Sequence, residues 1–522
     1  MAIQFEIHPS IGVARLGTSD EFFLGPAPGV TPPASYRDAA KRLKKQAAHF
    51  QVFRCDRDAA GKLLSPPELI TNAIGQIRWM VEVANRKAVA FKLTNPAARR
   101  NNASGNDAAD AALIVKTTPL IVDDTTPDVK FAGDFRGLAV TLGRAIRQAD
   151  GSLIFTGGSG ISGKRPAAAG PPPNPGHFAD NDDWFDDTCE GPVRAEVKLA
   201  DGSTHVALAA RVVVGPPDFA PDVQPWVNLH DIAYQAAIDR AFLTAETEPS
   251  YVRFIRPFLL RAKDFPWVNQ HSGQGHGGSA QGNFSDAKLA MLGNPAGPAV
   301  IRNGILGRFR NPATPIGSAP SSPSQSMPRL FSEEGYLEDK HRVLALPPVI
   351  FSYFQLWAAG HFKADTGTNP FAGESIVDAL DRVAMEACIG GGFFPGIEVP
   401  RFVRDKNVWA SAFRLDPNIP AGHVTEGLAV PWQADFSACQ WEDSNPTDGI
   451  TDPTDPNGYA WWPAQRPDHV FASAADVTAN HRSNWDRGAA SAIALINNQT
   501  YAKLGIVRRK GTVMIETERE LP

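Results

Sequence analysis

The stretch Glu374-Ser375-Ile376-Val377-Asp378-Ala379-Leu380-Asp381-Arg382-Val383-Ala384-Met385-Glu386-Ala387-Cys388 is the clearest helix in the chain. Ile376, Val377, Leu380, Val383, Ala384 and Ala387 recur on one face, Ser375 with Asp378 three on forms a capping start, and Gly390-Gly391-Gly392 ends it. Cys388 therefore stands at the exit of a buried helix. Further helices are predicted over 37–48, 229–244, 351–359 and 472–480. Toward the N-terminus the pattern changes to short strand-like runs at 3–7, 51–54, 113–115, 138–142, 153–156, 195–199 and 210–214, mostly bounded by Gly, Pro, Asp or charged residues. The expectation is an α+β protein: a β-rich N-terminal half with long loops, and a more helical C-terminal half that carries the active site.

Composition bounds the function. The chain has 522 residues, 43% hydrophobic and 20% charged, which is ordinary for a globular protein with a large core. Its 45 Gly and 44 Pro demand many turns, and long loops are expected at 164–180 and 311–328. A net charge of -5 offers no basic field for a nucleic-acid backbone. No run approaches the ~20 apolar residues of a membrane span, and the first residues lack a signal-peptide pattern. The expectation is cytoplasmic synthesis, with export possible only by a route that needs no such signal. Four cysteines, at 55, 189, 388 and 439, are too sparse for a disulfide scaffold and lack zinc spacing, so Cys55 and Cys189 read as small core hydrophobes and no metal is expected. We read 1–522 as a single unit, with a β-rich part over 1–225 and a helix- and loop-rich part over 226–522.

Several motifs fail on inspection. Gly158-Ser159-Gly160-Ile161-Ser162-Gly163-Lys164 matches the spacing of a phosphate loop, but Arg165 replaces the magnesium-binding hydroxyl and Pro166 blocks the helix that would face the phosphate. It reads as a Gly-rich turn after a strand. The acidic run from Asp180 to Asp187 has the composition of a calcium loop, yet Trp184 and Phe185 occupy positions needed for a ligand and the turn glycine. Gln270 to His276 reads as a solvated loop. Neither HExxH nor GxSxG occurs.

What remains is Asp435-Phe436-Ser437-Ala438-Cys439, followed by Trp461-Trp462-Pro463-Ala464-Gln465-Arg466-Pro467. With Ile7 to Gly17, Asp183 to Thr188 and Gly191-Pro192-Val193, Met327 to Leu330, Gly391 to Glu398 and Pro431 to Phe436, these make an ordered set of matches along the chain. On them the sequence resembles the amino-acid oxidases that carry cysteine tryptophylquinone, a family with lysine ε-oxidases and glycine oxidases. The resemblance implies that Cys439 gives the thioether sulfur and that Trp461 or Trp462 becomes the quinone. Adjacent side chains in an extended segment point to opposite faces, so one of the two meets the sulfur, and the sequence leaves both open.

In that family an Asp four residues before the Cys serves maturation and catalysis, which assigns Asp435. An indole dione presents an electrophilic carbonyl to a substrate amine and acts as an electron sink, so a carboxylate in a dry pocket must remove the α-proton. The resemblance further implies Phe185 as a wall of the active site, Cys388 as its second cysteine and His361 as its histidine. It implies an amino-acid substrate and dioxygen, ammonia and hydrogen peroxide as products, a separate flavin-dependent modifying enzyme, and a homo-oligomer. Phe185 in place of a Tyr, and the lack of any lysine between Lys406 and Lys503, favour glycine or another small amino acid over lysine. The alternative is a non-enzymatic relative that keeps the fold as a binding or structural module without a mature quinone.

Overall fold

The computed structural model describes residues 2–58, 61–93, 95–165, 174–276, 280, 282–313, 327, 344–365, 367–390, 402–438, 463–485, 491–497 and 499–521. Its frame is one large sheet from the first half of the chain. In spatial order the strands are Asp128–Phe135, Leu138–Arg147, Leu153–Gly157, Lys45–Arg57, Ile11–Arg15, Ala210–Gly215, Cys189–Leu199, Gly75–Val81 and Leu120–Val122. The last strand comes back beside the first, so the sheet curls toward a barrel. Pairing is antiparallel except where Ala210–Gly215 runs parallel to Ile11–Arg15 and Phe22–Leu24 runs parallel to Lys45–Arg57. The run Ala210 to Gly215 is buried throughout, as expected for a strand covered on both faces.

Six of the seven predicted strands appear, several of them longer than expected; over 113–115 the chain instead closes a 3-10 helix at Ala111–Leu113, and only the two-residue strand Val115–Lys116 follows. The predicted helix over 37–48 does not appear: Lys45–Arg57 is a 13-residue strand that pairs with Ala2–His8, Ile11–Arg15, Phe22–Leu24, Glu68–Ile70 and Leu153–Gly157. Its lysine- and alanine-rich start has good helix propensity, but five strand partners outweigh a preference worth a few tenths of a kcal/mol per residue.

Helices Leu229–Asp239, Pro348–Ala358, Ile376–Glu386 and Ala474–Ala479 stand where helices were predicted, some of them shorter. In Ile376–Glu386, Ser375 caps Asp378 N–H as the spacing required. The buried face differs from the apolar stripe: Ile376 is 43% exposed, whereas Asp381, Arg382 and Glu386 are buried. Ion pairing makes this possible, because Arg382 bridges Glu374 and Glu386 at 2.7 Å each. Asp381 accepts from Ser10 N–H at 2.6 Å and meets His8 Nδ1 at 2.8 Å, tying this helix to the first strand. Gln270–His276 is a helix rather than a loop, with Asn269 accepting from Ser272 N–H at 2.9 Å. The expected loops fall largely outside the described residues. Among the described residues no helix is long and apolar enough to cross a membrane.

Candidate active site

The short helix Trp432–Ala438 carries Asp435 and is held from three sides. Its first N–H, that of Trp432, donates to Asp186 Oδ2 at 2.9 Å, and an anion at a helix start also suits the helix dipole. Asp186 is itself fixed by Lys87 Nζ at 2.9 Å and Asn85 Nδ2 at 2.8 Å. Next, Gln433 donates to Gly160 O at 3.1 Å and accepts from Ser162 Oγ at 2.7 Å. The rejected phosphate-loop motif is thus a turn that seats this helix. Gly160 has φ +76°, and a Cβ there would lie 1.8 Å from the Tyr501 hydroxyl oxygen, so the position needs glycine. Finally, Trp432 packs edge-on to Tyr501 and Phe436, with ring centroids 5.0 and 5.8 Å apart.

Asp435 is fully buried, and Arg466 Nη1 donates to its Oδ2 at 2.6 Å. The Arg466 guanidinium lies 4.8 Å from the Phe436 ring centre, and Phe436 in turn packs against Phe219 and Trp485. Phe219 N–H donates to Gln465 O at 3.0 Å, anchoring the arginine's segment. Asp435 Oδ1, Trp432 Nε1 and Gln465 Oε1 are buried and, among the described residues, have no hydrogen-bond partner. Native interiors rarely leave such atoms unpaired, and three in neighbouring residues mark a place built for a polar group.

The acidic run is consumed by cations. Asp180 pairs with Arg100, Asp182 with Lys92, Asp183 with Arg136 and Asp186 with Lys87. Asp187 is fully buried beside the Gly158–Ile161 turn. Burial, reinforced by Asp186, pushes its carboxyl up to about 7 against backbone hydrogen bonds from Ile161 and Ser159. Glu6, His8 and Cys55 lie close enough together to hold a cation. The group is engaged as an ion network: Arg57 binds both Glu6 oxygens, and His8 lies between Glu6 and Asp381. Burial works against a charged His8, but those two carboxylates push it up to about 10.

Residues 8–214 match the family described as L-lysine epsilon oxidase N-terminal, and residues 321–462 match the L-lysine epsilon oxidase C-terminal domain. The chain belongs to the L-lysine ε-oxidase family. The L-lysine 6-oxidase of Marinomonas mediterranea is 23% identical over 534 residues, covering 83% of this chain and 70% of the relative. Two solved structures of that organism's lysine ε-oxidase, one of them the Schiff base intermediate with L-Lys, share the fold at TM-score 0.76 and 20% identity, covering 99% of this chain and 95% of theirs. A third has TM-score 0.73 at 21% identity, covering 99% and 94%.

Membership in the L-lysine ε-oxidase family makes the chain an amino-acid oxidase whose cofactor is cysteine tryptophylquinone. Cys439, Trp461 and Trp462 lie outside the described residues. The surroundings fit the group: Asp435 stands four residues before Cys439, Arg466 four after Trp462, and the two are in contact beside unpaired buried polar atoms.

The other candidates are placed less centrally. Phe185 is 8% exposed, lies against Gly163 and packs on Phe135 at 5.4 Å. Trp184, by contrast, clusters with Val430, and Asp186 reaches Trp432. Alternation along the strand therefore turns Phe185 away from the helix of Asp435. Cys388 is buried past the helix end, where its carbonyl accepts from Leu229 N–H at 2.9 Å. His361 is exposed after Pro348–Ala358. Cys55 and Cys189 are buried free cysteines. Arg466, Trp432, Gln433 and Gln465 had no assigned role in the sequence, although all four lie inside the quoted motifs. For Arg466, Gln433 and Gln465 the signal was a charged or amide side chain inside a largely apolar motif; Trp432 carried no such signal.

Proposed function

We propose that this oxidase deaminates the primary amine of a free amino acid, with glycine or another small amino acid favoured, giving the oxo acid, ammonia and hydrogen peroxide. In this reading Cys439 and one of Trp461 and Trp462 form the cofactor with the help of a flavin-dependent modifying enzyme. The observation that carries it is the buried Asp435–Arg466 pair, which joins the chain just before Cys439 to the chain just after Trp462. When present, the quinone supplies an electrophilic carbonyl and a two-electron sink.

The protein's part follows from the geometry. Arg466 fixes Oδ2 of Asp435 and leaves Oδ1 open, so Oδ1 is the atom that receives the substrate's α-proton. Trp432, Phe436, Phe219 and Trp485 exclude water, which strengthens each electrostatic contact inside. The rate contribution of such a base is typically on the order of 10²–10⁴-fold.

For the substrate, the absence of lysine between Lys406 and Lys503 and the Phe at position 185 support a small amino acid. A second reading, lysine ε-oxidation, is favoured by the relative that acts on L-lysine. Intact mass and peptide mapping test the chemistry: maturation adds two oxygens, removes four hydrogens, and leaves the Cys439 peptide joined to the Trp461-Trp462 peptide under reduction. Free Cys439 in protein co-produced with its modifying enzyme would sink the proposal. Peroxide release across an amino-acid panel decides the substrate, and activity with lysine alone would reject the small-substrate reading.

A further inference from the structure

Four buried tryptophans, Trp79, Trp357, Trp409 and Trp485, each donate the indole N–H to a backbone carbonyl at 2.8–3.0 Å. That is the usual arrangement, because an indole N–H removed from water needs an acceptor. Trp432 departs from it. The residue is 1% exposed, and among the described residues its Nε1 has no hydrogen-bond partner.

The ring is held where it is by Tyr501 and Phe436 at its edges and by the Asp186 bond to its backbone N–H. Three residues on stands Asp435, and positions i and i+3 share one side of a helix. Its Oδ1 is likewise unpaired. Gln433, between them, spends its amide on Gly160 and Ser162, and the Tyr501 hydroxyl donates to Ser159 O at 2.8 Å. One helix therefore leaves one buried donor and one buried acceptor unused.

We propose that the Trp432 indole N–H is an active-site hydrogen-bond donor to an oxygen of the reacting complex, complementary to Asp435 Oδ1. The inference rests on the oxidase reading above. The acceptor is a carbonyl or carboxylate oxygen with two possible sources, the cofactor dione and the carboxylate of the amino acid.

The test uses holoenzyme carrying Trp432→Phe or Trp432→His, each co-produced with the modifying enzyme. Phe keeps a ring against Tyr501 and Phe436 but removes the donor, and His restores an N–H on a smaller ring. Two readouts separate the sources: the visible absorption maximum of the oxidised cofactor without substrate, and kcat/KM for the amino acid relative to its decarboxylated amine. If the acceptor is a cofactor oxygen, Trp432→Phe moves the absorption maximum. If it is the substrate carboxylate, the preference for the amino acid falls by roughly tenfold, the scale of a lost hydrogen bond to a charged group. In either case Trp432→His recovers the quantity that moved. A Phe variant that folds without forming the cross-link, while the His variant forms it, also places the acceptor on the cofactor. Both readouts unchanged in Trp432→Phe, or equal changes in the Phe and His variants, overturn the proposal. Absence of the cross-link in wild-type protein would instead refute the oxidase reading, a separate outcome.

Discussion

Breaking the Asp435–Arg466 pair separates stability from chemistry. Both partners are essentially excluded from solvent, with side-chain exposures of 0% and 1%, and their contact is 2.6 Å. Arg466→Met leaves a buried carboxylate without its cation, and Asp435→Asn leaves a buried guanidinium without its anion. Each single change should cost about 3–5 kcal/mol, whereas removing both charges leaves nothing uncompensated. The double variant should therefore lose far less than the sum. In a chain of 522 residues, unfolding entropy at roughly 2 cal/mol/K per residue totals about 1.1 kcal/mol/K, so even ~4 kcal/mol lowers Tm by only about 4 °C. Calorimetry on the two singles and the double has the precision required. Activity should not follow stability: the double variant regains its melting point but has lost the group that takes the α-proton. Single-variant losses that add to within ~0.5 kcal/mol would show that the two groups are not coupled and would refute the reasoning.

Asp187→Asn tests a buried carboxyl through pH. The folded group titrates at about 7 against an ordinary 3.8, so between those values the folded state keeps a proton that the unfolded state has lost, and wild-type stability falls as pH rises. Relative to wild type the variant should gain stability across that window, by an amount on the order of 4 kcal/mol at pH 8, and a pH-independent difference would reject the assignment. Gly160→Ala forces a Cβ onto the Tyr501 hydroxyl at a positive φ and should cost about 1–3 kcal/mol with weakened turnover, since the same turn seats Gln433; an unchanged melting point would argue against that seat. Because His361 is exposed, His361→Ala should change kcat/KM by less than about twofold, the ordinary result for a surface substitution, and a loss beyond tenfold would restore it to the site.

Much of the strand framework was legible because alternating or continuously apolar runs report burial directly, as at Ala210–Gly215. Lys45–Arg57 was not, because its local propensity points to helix and its identity as a strand depends on five partners distant in sequence. Likewise Asp381 lies off the apolar stripe of its helix and is buried, since only the fold supplies Ser10 and His8 to pair with it.

The sequence by itself determined the chemistry on offer: a cysteine and a tryptophan pair in motifs of a quinone-forming family, with Asp435 four residues before the cysteine. Only the tertiary structure decided what holds that carboxylate. Arg466 reaches it from 31 residues away, Gly160 and Ser162 seat its helix from more than 270 residues away, and Phe185 turns toward Phe135. Hydrogen bonds and ion pairs between residues so far apart leave no periodic trace in the chain, because they are fixed by where the sheet and its turns bring the backbone, not by local spacing.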